Sequence, residues 1–251
     1  LADDAQYCWH PFTQAKTASP PLAVVRGEGE FLLDEQGRRY FDAVSSWWVN
    51  IHGHSNPHIA QAIATQAAQL EHVMFAGITH PPGVDLAKRL VQSAPAPMAK
   101  VFYSDNGSTA IEVALKMAFQ YWQNRNKPEK RKVIALQGGY HGDTFGAMAA
   151  GKSSGFYDPF KPWLFDVEFI ETGTCACTEE TALAQLDAIL SSQASDVAAL
   201  LLEPLVQGAS GMRFMRPAFV AELCKRCEAA GVLVIFDEVF TGFYRTGSLF
   251  A

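Results

Sequence analysis

Three features that define other classes of protein are scarce in this sequence. It has only five cysteines, an odd count that does not suggest a disulfide framework, so we expect a reducing compartment and a cytoplasmic location. It has no cluster of Lys and Arg, and its formal net charge is −6, which argues against a nucleic-acid partner. Its longest apolar run, VAALLLEPLV, is broken by Glu203 and Pro204, so we expect no membrane span.

What the sequence does contain is typical of a globular protein. Of its 251 residues, 49% are hydrophobic and 18% are charged, enough for one large domain or two small ones. Up to Pro57, short apolar runs alternate with glycine-containing turns, which predicts a meander of short strands. We therefore assign residues 1–57 to an N-terminal segment and residues 58–251 to an α/β domain.

In the second segment, apolar strand patterns alternate with helical patterns. This alternation predicts crossover units and a mostly parallel sheet with helices on both faces. The predicted strands are 100–104, 132–136, 166–171, 197–203 and 232–236. The predicted helices are 58–70, 83–93, 108–125, a short one from 144, 179–192 and 218–230. Ligands of such sheets gather at the carboxyl ends of the strands, so we look for the site there.

Two carboxylates stand at the ends of apolar strands. Glu203 follows VAALLL and Asp237 follows VLVIF. A carboxylate at a dry sheet end needs a cationic or proton-donating partner. A structural arginine such as Arg245 is one candidate, and a protonated nitrogen heterocycle is the other.

Two glycine-containing segments follow other strands. Gly107 and Ser108 stand where the first strand turns into a helix, which is an anion site, although Ser108 is also a good N-cap. The segment QGGYHGDTFGAM offers Tyr140 and His141 as flat rings, although it also reads as an ordinary glycine-rich turn. A strand-end acid, a phosphate-binding helix start and an aromatic ring together indicate a site for pyridoxal phosphate, whose ring nitrogen pairs with a carboxylate.

Several longer blocks carry a family resemblance. FDEVFTGFYRTG resembles the signature of the class III pyridoxal-phosphate aminotransferases, and DNGSTAIEVALKMAFQYW and GYHGDTFGAM also match this class. HVMFAGITH is part of the resemblance as well, and the blocks WHPFTQ and SSWWVNIHGHSNP narrow it. They resemble the members of the class that transfer an amino group from S-adenosylmethionine to 8-amino-7-oxononanoate in biotin synthesis. The resemblance runs from about Trp9 to Ala251.

The resemblance implies a fold type I large domain, a homodimer and a role for particular residues. Gly107 and Ser108 would hold the cofactor phosphate, and Asp237 would pair with the ring nitrogen. Tyr140 and Val239 would lie against the ring, and Tyr140 would also line the substrate pocket. The remaining implied residues are Trp47 and Phe12 for substrate binding, and Asp143, Glu203 and Gln207 as support.

The sequence departs from the family pattern at three points. Phe12 stands where a tyrosine is usual, so a hydroxyl that would help to position substrate is absent. Tyr244 replaces the glycine of GFGRTG. The Schiff-base lysine of the family would lie beyond Ala251, and the C-terminal domain with its substrate-carboxylate arginine would be absent too. We therefore expect no catalytic residue in this chain, and no activity of the chain alone.

Two alternatives remain open at this stage. The first is another class III aminotransferase, acting on an ω-amino acid, a diamine or ornithine. The second is a zinc-stabilised interaction module built from Cys175, Cys177, Cys224 and Cys227. Because the spacing of these cysteines is unlike that of zinc knuckles, we expect free buried thiols and no metal.

Overall fold

A computed structural model describes residues 2–251 of the chain. The chain divides into two compact units, and the division falls between Gly83 and Val84. The domain boundary that we place after residue 57 stays a prediction. Within residues 2–251, no helix combines the length and the apolar character needed to cross a membrane.

The first unit contains a small antiparallel sheet. Its elements in chain order are α1 (Ala2–Tyr7), β1 (Val24–Glu28), β2 (Phe31–Asp34), β3 (Arg39–Phe41), α2 (Ser45–Trp48) and α3 (Pro57–Gln69), and α4 (Pro81–Ser93) begins at its end. β1 pairs with β2 and β2 with β3, each antiparallel. The predicted meander is therefore confirmed. The predicted helices in this region are confirmed as well, with ends shifted by one or two residues.

The second unit is built on a four-stranded parallel sheet. Its elements in chain order are α5 (Gly107–Asn124), β4 (Lys132–Leu136), α6 (Phe145–Gly151), β5 (Val167–Ile170), α7 (Ala176–Gln193), β6 (Val197–Leu202), β7 (Val206–Gln207), β8 (Arg213–Phe214), α8 (Pro217–Ala229) and β9 (Leu233–Phe236). The order in the sheet is β5-β4-β6-β9, and all three pairings are parallel. This arrangement confirms the predicted α/β architecture.

Alternate residues of the strands point to two different cores. Ile134 and Leu200 face a core that α7 and α8 complete, with Leu186 and Leu223 among its members. Val133, Ala135 and Leu201 face a core that α5 and α6 complete. Because successive side chains of a strand alternate between its faces, two buried faces require apolar residues at every position. All six residues of β6 are buried, as this argument demands.

The predicted strand at 100–104 is wrong. The backbone of this segment has no strand assignment, and the Phe102 side chain is 65% exposed. A strand is defined by the ladder that it forms with a neighbour, and the described sheet of this unit ends at β5 and β9. Apolar sequence alone therefore predicted an element that lacks a pairing partner within residues 2–251.

Candidate functional site

The two strand-end carboxylates lie next to each other. In the register of β6 and β9, Leu202 is opposite Phe236, so Glu203 and Asp237 follow on neighbouring strands. The Asp237 N–H donates to the Leu202 carbonyl at 2.8 Å, which carries the ladder one residue further. Both side chains are buried, at 6% exposure each. Both acids follow strands of the parallel sheet, as predicted, and the structure adds that the two strands are neighbours.

Asp237 pairs with a histidine from the segment that follows β4. His141 Nδ1 lies 2.8 Å from Asp237 Oδ2, and both side chains are almost fully buried. The other oxygen, Oδ1, accepts the Val239 N–H at 3.2 Å. His141 Nε2 is buried and has no hydrogen-bond partner in the described part of the chain. The guanidinium of Arg245, the candidate considered from sequence, lies over the Phe240 ring at 5.4 Å.

Glu203 is held by backbone donors in a dry environment. Its two oxygens accept the Tyr140 N–H at 3.1 Å and the Gly208 N–H at 3.0 Å. Burial raises the pKa of Glu203 above its ordinary value, although the nearby His141 and the two backbone donors oppose the shift. Glu203 therefore fixes the backbone at Tyr140 and at Gly208 through these two hydrogen bonds.

This pKa shift predicts a pH dependence of stability. Since the folded pKa of Glu203 is raised, its contribution is fully present below about pH 4.5, the ordinary value, and is lost as the pH rises toward the folded pKa. We expect the free energy of unfolding of the wild type to fall relative to that of Glu203→Gln, by at most about 1.4 kcal/mol per pH unit. Urea unfolding of both proteins without cofactor, at several pH values between 4.5 and 7.5, measures the difference. Parallel curves would contradict the shift.

The start of α5 presents unpaired backbone donors. Asn106 is the N-cap, because its side chain accepts the Thr109 N–H at 3.0 Å and the Thr109 hydroxyl completes a capping box. The idea that Ser108 caps the helix is therefore wrong, since Ser108 lies inside the first turn. The N–H groups of Gly107 and Ser108 have no hydrogen-bond partner among residues 2–251. These N–H groups are available to bind an anion, and they lie at the positive end of an 18-residue helix.

Three segments meet at the start of α5: the beginning of the helix itself, the segment after β9 and the segment after β4. A Cβ added at Gly107 would come within 2.7 Å of Val239 Cγ2, so α5 begins against the segment that carries Asp237. A Cβ added at Gly142 would come within 2.4 Å of Ser108 Cβ. The structure thus brings together four residues that the sequence proposed for the cofactor or its support: Gly107, Ser108, Val239 and Asp237.

A hydrogen-bond chain locks the start of α5 to α6. The Ser108 hydroxyl accepts the Thr144 N–H at 3.0 Å and lies 2.7 Å from Thr144 Oγ1. The Thr144 hydroxyl donates to Glu112 Oε1 at 2.6 Å, and the same oxygen accepts the Gly146 N–H at 2.6 Å. Because the Ser108 hydroxyl is engaged in this chain, its backbone N–H is the group that remains for a ligand.

Tyr140 belongs to a cluster of aromatic rings. Its hydroxyl donates to Asp143 Oδ2 at 3.0 Å, and its ring is stacked on that of Tyr157 with centroids 6.2 Å apart. The Tyr157 hydroxyl donates to the Gly142 carbonyl at 3.0 Å. Burial raises the pKa of Tyr140 to about 12 and raises that of Tyr157 as well, so both phenols stay protonated at neutral pH. Asp143 therefore orients Tyr140.

The two proposed substrate-binding aromatics meet within the first unit. The rings of Phe12 and Trp47 are 5.6 Å apart in an edge-to-face arrangement, and both side chains are largely exposed. The neighbouring Trp48 is less exposed than Trp47. The structure brings Phe12 and Trp47 together, and their contact with substrate stays a prediction.

Trp47 sits in an unusual left-handed turn. All four residues of α2 have positive φ, between 48° and 71°, which costs non-glycine residues about 1–2 kcal/mol each. Asp42 holds the turn: it accepts the Ser46 N–H at 3.0 Å, the Ser46 hydroxyl at 2.8 Å and lies 2.8 Å from His54 Nε2. These hydrogen bonds lower the pKa of Asp42. Strain that is maintained in this way is typical of functional segments.

Gln207 is fully buried beneath the glycine-rich turn. Its amide nitrogen donates to the Gln137 carbonyl at 3.0 Å, whereas Oε1 has no partner within the described residues. His141 Nε2 and this oxygen are thus two buried polar atoms without a hydrogen-bond partner in the described residues, and a ligand can supply one. Both atoms belong to segments that follow strands of the parallel sheet.

The cysteines differ in part from the expectation of buried thiols. All are free, but only Cys227 is buried, Cys224 is half-buried, and Cys175 and Cys177 are exposed. The spacing of the cysteines in sequence does not reveal their exposure, and Cys175 lies at the exposed start of α7. No group of three or more His, Cys, Asp or Glu side chains that could hold a metal ion occurs among residues 2–251.

Comparison with known proteins identifies the family. The family described as aminotransferase class-III matches residues 12–251. The chain belongs to the class-III aminotransferase family. Enzymes of this family depend on pyridoxal 5′-phosphate, and an amine transaminase from an uncultivated Pseudomonas species, solved in its PLP-bound form, is 34% identical with a TM-score of 0.88. It aligns with 97% of this chain and 58% of its own length.

Two relatives in the class-III family carry a more specific name. The adenosylmethionine-8-amino-7-oxononanoate aminotransferase of Synechococcus elongatus is 52% identical over 98% of this chain and 59% of its own length. The solved enzyme of that name from Methanocaldococcus jannaschii is 39% identical with a TM-score of 0.92, over 98% of this chain and 56% of its own. The chain spans a little over half the length of the relatives that it matches.

The residues present fit the cofactor of the class-III family. The unpaired N–H groups of Gly107 and Ser108 suit a phosphate, and the buried Asp237 suits a protonated ring nitrogen. Gly107 leaves room where a Cβ would touch Val239, whose own side chain is 65% exposed beside Asp237. An anion site, an acid and an exposed apolar side chain thus adjoin one another.

Sequence reasoning missed two participants. His141 pairs with Asp237, 96 residues away, and this pairing has no local signal in the sequence. Glu112, which ties α5 to α6, is absent from the residues predicted for the site. Its place one turn into α5, on the side of Ser108, was the available signal, because residues four apart share a helix face.

Proposed function

We propose that the full-length protein transfers an amino group from S-adenosylmethionine to 8-amino-7-oxononanoate and so forms 7,8-diaminononanoate in biotin synthesis. The observation that carries the transaminase part is the buried Asp237 beside the free N–H groups that begin α5. The substrate pair is supported by relatives of that name at up to 52% identity and by the SSWW block, whose Trp47 stands in a strained turn.

The residues of this chain hold the cofactor in four ways. Gly107 and Ser108 bind its phosphate through backbone N–H groups at the positive end of α5. Asp237 keeps the ring nitrogen protonated, and His141 orients that carboxylate from its far side. Val239 would pack against the ring with its exposed side chain. When bound, the cofactor supplies an electron sink for the carbon that loses its proton.

Tyr140 and its neighbours define the substrate side. Asp143 orients the Tyr140 hydroxyl, and the raised pKa of Tyr140 keeps it a hydrogen-bond donor at neutral pH. Glu203 and Gln207 act as support, since Glu203 fixes the backbone of Tyr140 and Gln207 that of Gln137. The family resemblance implies that a lysine of the full-length protein would carry the transferred proton.

Phe12 and Trp47 are the proposed substrate contacts of the first unit. Their edge-to-face pair offers an exposed aromatic surface, and aromatic rings attract the sulfonium cation of S-adenosylmethionine. We further propose that the protein is a cytoplasmic homodimer. Large exposed apolar side chains such as Trp163, at 76% exposure, support a subunit interface.

A donor comparison tests the proposed substrate. We expect the full-length enzyme, loaded with cofactor, to use S-adenosylmethionine with a kcat/KM at least about 100-fold above that for simple amines or ω-amino acids, because a site built around one donor leaves its polar groups unpaired with another. The measurement is formation of 7,8-diaminononanoate from 8-amino-7-oxononanoate with each donor in turn.

The rival function is that of an amine transaminase, which the PLP-bound Pseudomonas structure at 34% identity favours. If simple amines served as donors as well as or better than S-adenosylmethionine, the rival would replace the proposal while the cofactor site stood. If the full-length protein neither bound pyridoxal phosphate nor transferred any amino group, the proposal of a transaminase would fail as a whole.

A further inference from the structure

Two exposed cysteines meet at the start of α7. Cys175 is the N-cap of the helix and has extended backbone dihedrals, and Cys177 is the second helical residue. Their Sγ atoms are 2.7 Å apart, so the two thiols are in direct contact. No residue of the proposed cofactor site contacts this pair through a described hydrogen bond. The pair therefore has chemistry of its own.

The surroundings of Cys175 favour its thiolate. The Cys177 thiol and then the Thr178 side chain and N–H form hydrogen bonds to Cys175 Sγ, and these lower the pKa of Cys175 to about 7. The position at the N-terminus of an 18-residue helix acts in the same direction. The neighbouring thiolate raises the pKa of Cys177, which stays a thiol. One sulfur is thus prepared to attack, and the other remains protonated beside it.

We propose that Cys175 and Cys177 form a redox-active dithiol that is oxidised to an intramolecular disulfide by low-molecular-weight disulfides such as oxidised glutathione. The Cys175 thiolate attacks one sulfur of glutathione disulfide, and one glutathione thiolate leaves. Cys177 loses its proton to that thiolate or to water and attacks Cys175 Sγ in the mixed disulfide, and the second glutathione leaves. The protein loses two electrons and two protons, and one glutathione disulfide becomes two glutathiones.

The other cysteines lack this arrangement. Cys8 is exposed and has no second cysteine as a hydrogen-bond partner within residues 2–251. Burial raises the pKa of Cys224 and raises that of Cys227 to about 12, so neither presents a thiolate. A metal site at the dithiol would need further ligands, and none completes a set of three among residues 2–251. Redox exchange needs only the two sulfurs.

Oxidation of the intact protein tests the proposal. The reduced, folded, full-length protein with its cofactor is treated with oxidised glutathione at pH 7, and products are read by intact mass and peptide mapping. We expect loss of two hydrogens, mapped to a Cys175–Cys177 link, without accumulation of a glutathione adduct on either residue. In Cys177→Ser, the reaction should stop at a glutathione adduct on Cys175. In Cys175→Ser, whose serine still caps α7, neither product should form at an appreciable rate.

A rate comparison separates a special thiol from a merely exposed one. In Cys177→Ser, the serine hydroxyl replaces the Cys177 thiol as the donor to Cys175 Sγ, and the Thr178 donors remain. We therefore expect Cys175 to react about threefold faster at pH 7 in the folded protein than in urea, since a larger thiolate fraction outweighs a lower intrinsic nucleophilicity. Cys8, exposed in the folded protein, reports the effect of urea itself. A wild-type protein that stops at a glutathione adduct, or a Cys175 that reacts no faster when folded than unfolded, would overturn the proposal.

Discussion

Exchanging Asp237 for asparagine in the full-length protein is expected to lower the kcat/KM of transamination about 1000-fold, and to weaken cofactor binding, without unfolding the protein. The side chain keeps its size, but the buried negative charge that would hold a ring nitrogen protonated is gone. Preorganised charges in dry sites are worth about 3–4 kcal/mol in the transition state, which corresponds to this factor. Steady-state kinetics and a cofactor titration followed by absorbance measure the two effects.

A matched control removes a different strand-end carboxylate of the same sheet. Glu171 directly follows β5, which lies at the opposite edge of the sheet from β9. Glu171→Gln makes the same chemical change without touching the neighbourhood of His141, and we expect nearly wild-type kinetics. If kcat/KM fell equally in both variants, carboxylates at the carboxyl ends of these strands would serve stability rather than the cofactor.

A second control asks whether Asp237 matters only as the partner of His141. If so, His141→Asn should cost as much as Asp237→Asn, and the double variant should cost no more than either. We expect His141→Asn to lower kcat/KM only about tenfold, because it orients the carboxylate and leaves its charge in place. Losses of equal size in all three variants would reassign Asp237 to a structural role.

The parallel sheet could be predicted because its strands are buried on both faces. Each of β4, β6 and β9 is a short, continuous apolar run between helical patterns, and this signal is strong in sequence. The segment 100–104 has the same signal but no neighbour to pair with within residues 2–251, and pairing cannot be read from a single segment. The two-residue hairpin of β7 and β8 is too short to give any periodic pattern.

The left-handed turn at Trp47 could not be predicted for a different reason. Its sequence, SSWW, contains no glycine, and non-glycine residues avoid positive φ. The turn depends on Asp42, which precedes it, and on His54, which follows it. Such a conformation is determined by tertiary contacts that override local preference, and only coordinates reveal it.

The candidate site was predictable by position but not by pairing. Strand ends of a parallel sheet converge, so Glu203 and Asp237 could be placed together from sequence alone. Which groups satisfy them depends on how the segment after β4 folds back over the sheet. Gly142 permits that path, because its φ of +115° is open to glycine and rarely to other residues.

Gly142→Ala is therefore expected to damage both stability and the phosphate site. The new Cβ would lie 2.4 Å from both Cβ and Oγ of Ser108. The alanine would also have to adopt a positive φ, which is strained for any residue other than glycine. We expect the free energy of unfolding of the full-length protein to fall by about 3 kcal/mol or more. We also expect cofactor affinity to fall at least about tenfold, because Ser108 lies in the first turn of the helix that would bind the phosphate. Urea unfolding and cofactor titration give both values.

Gly155→Ala separates strain from overlap. Gly155 also has a positive φ, +86°, but a Cβ added there would have no heavy atom within 4 Å. This variant should lose only about 1–2 kcal/mol and keep its cofactor affinity, since it carries the backbone cost alone. In the Gly142→Ala protein, adding Ser108→Gly removes the side chain that the new methyl meets, and we expect part of the lost stability to return. If Gly142→Ala were no worse than Gly155→Ala, the close approach of the turn to the start of α5 would not be what holds the phosphate site together.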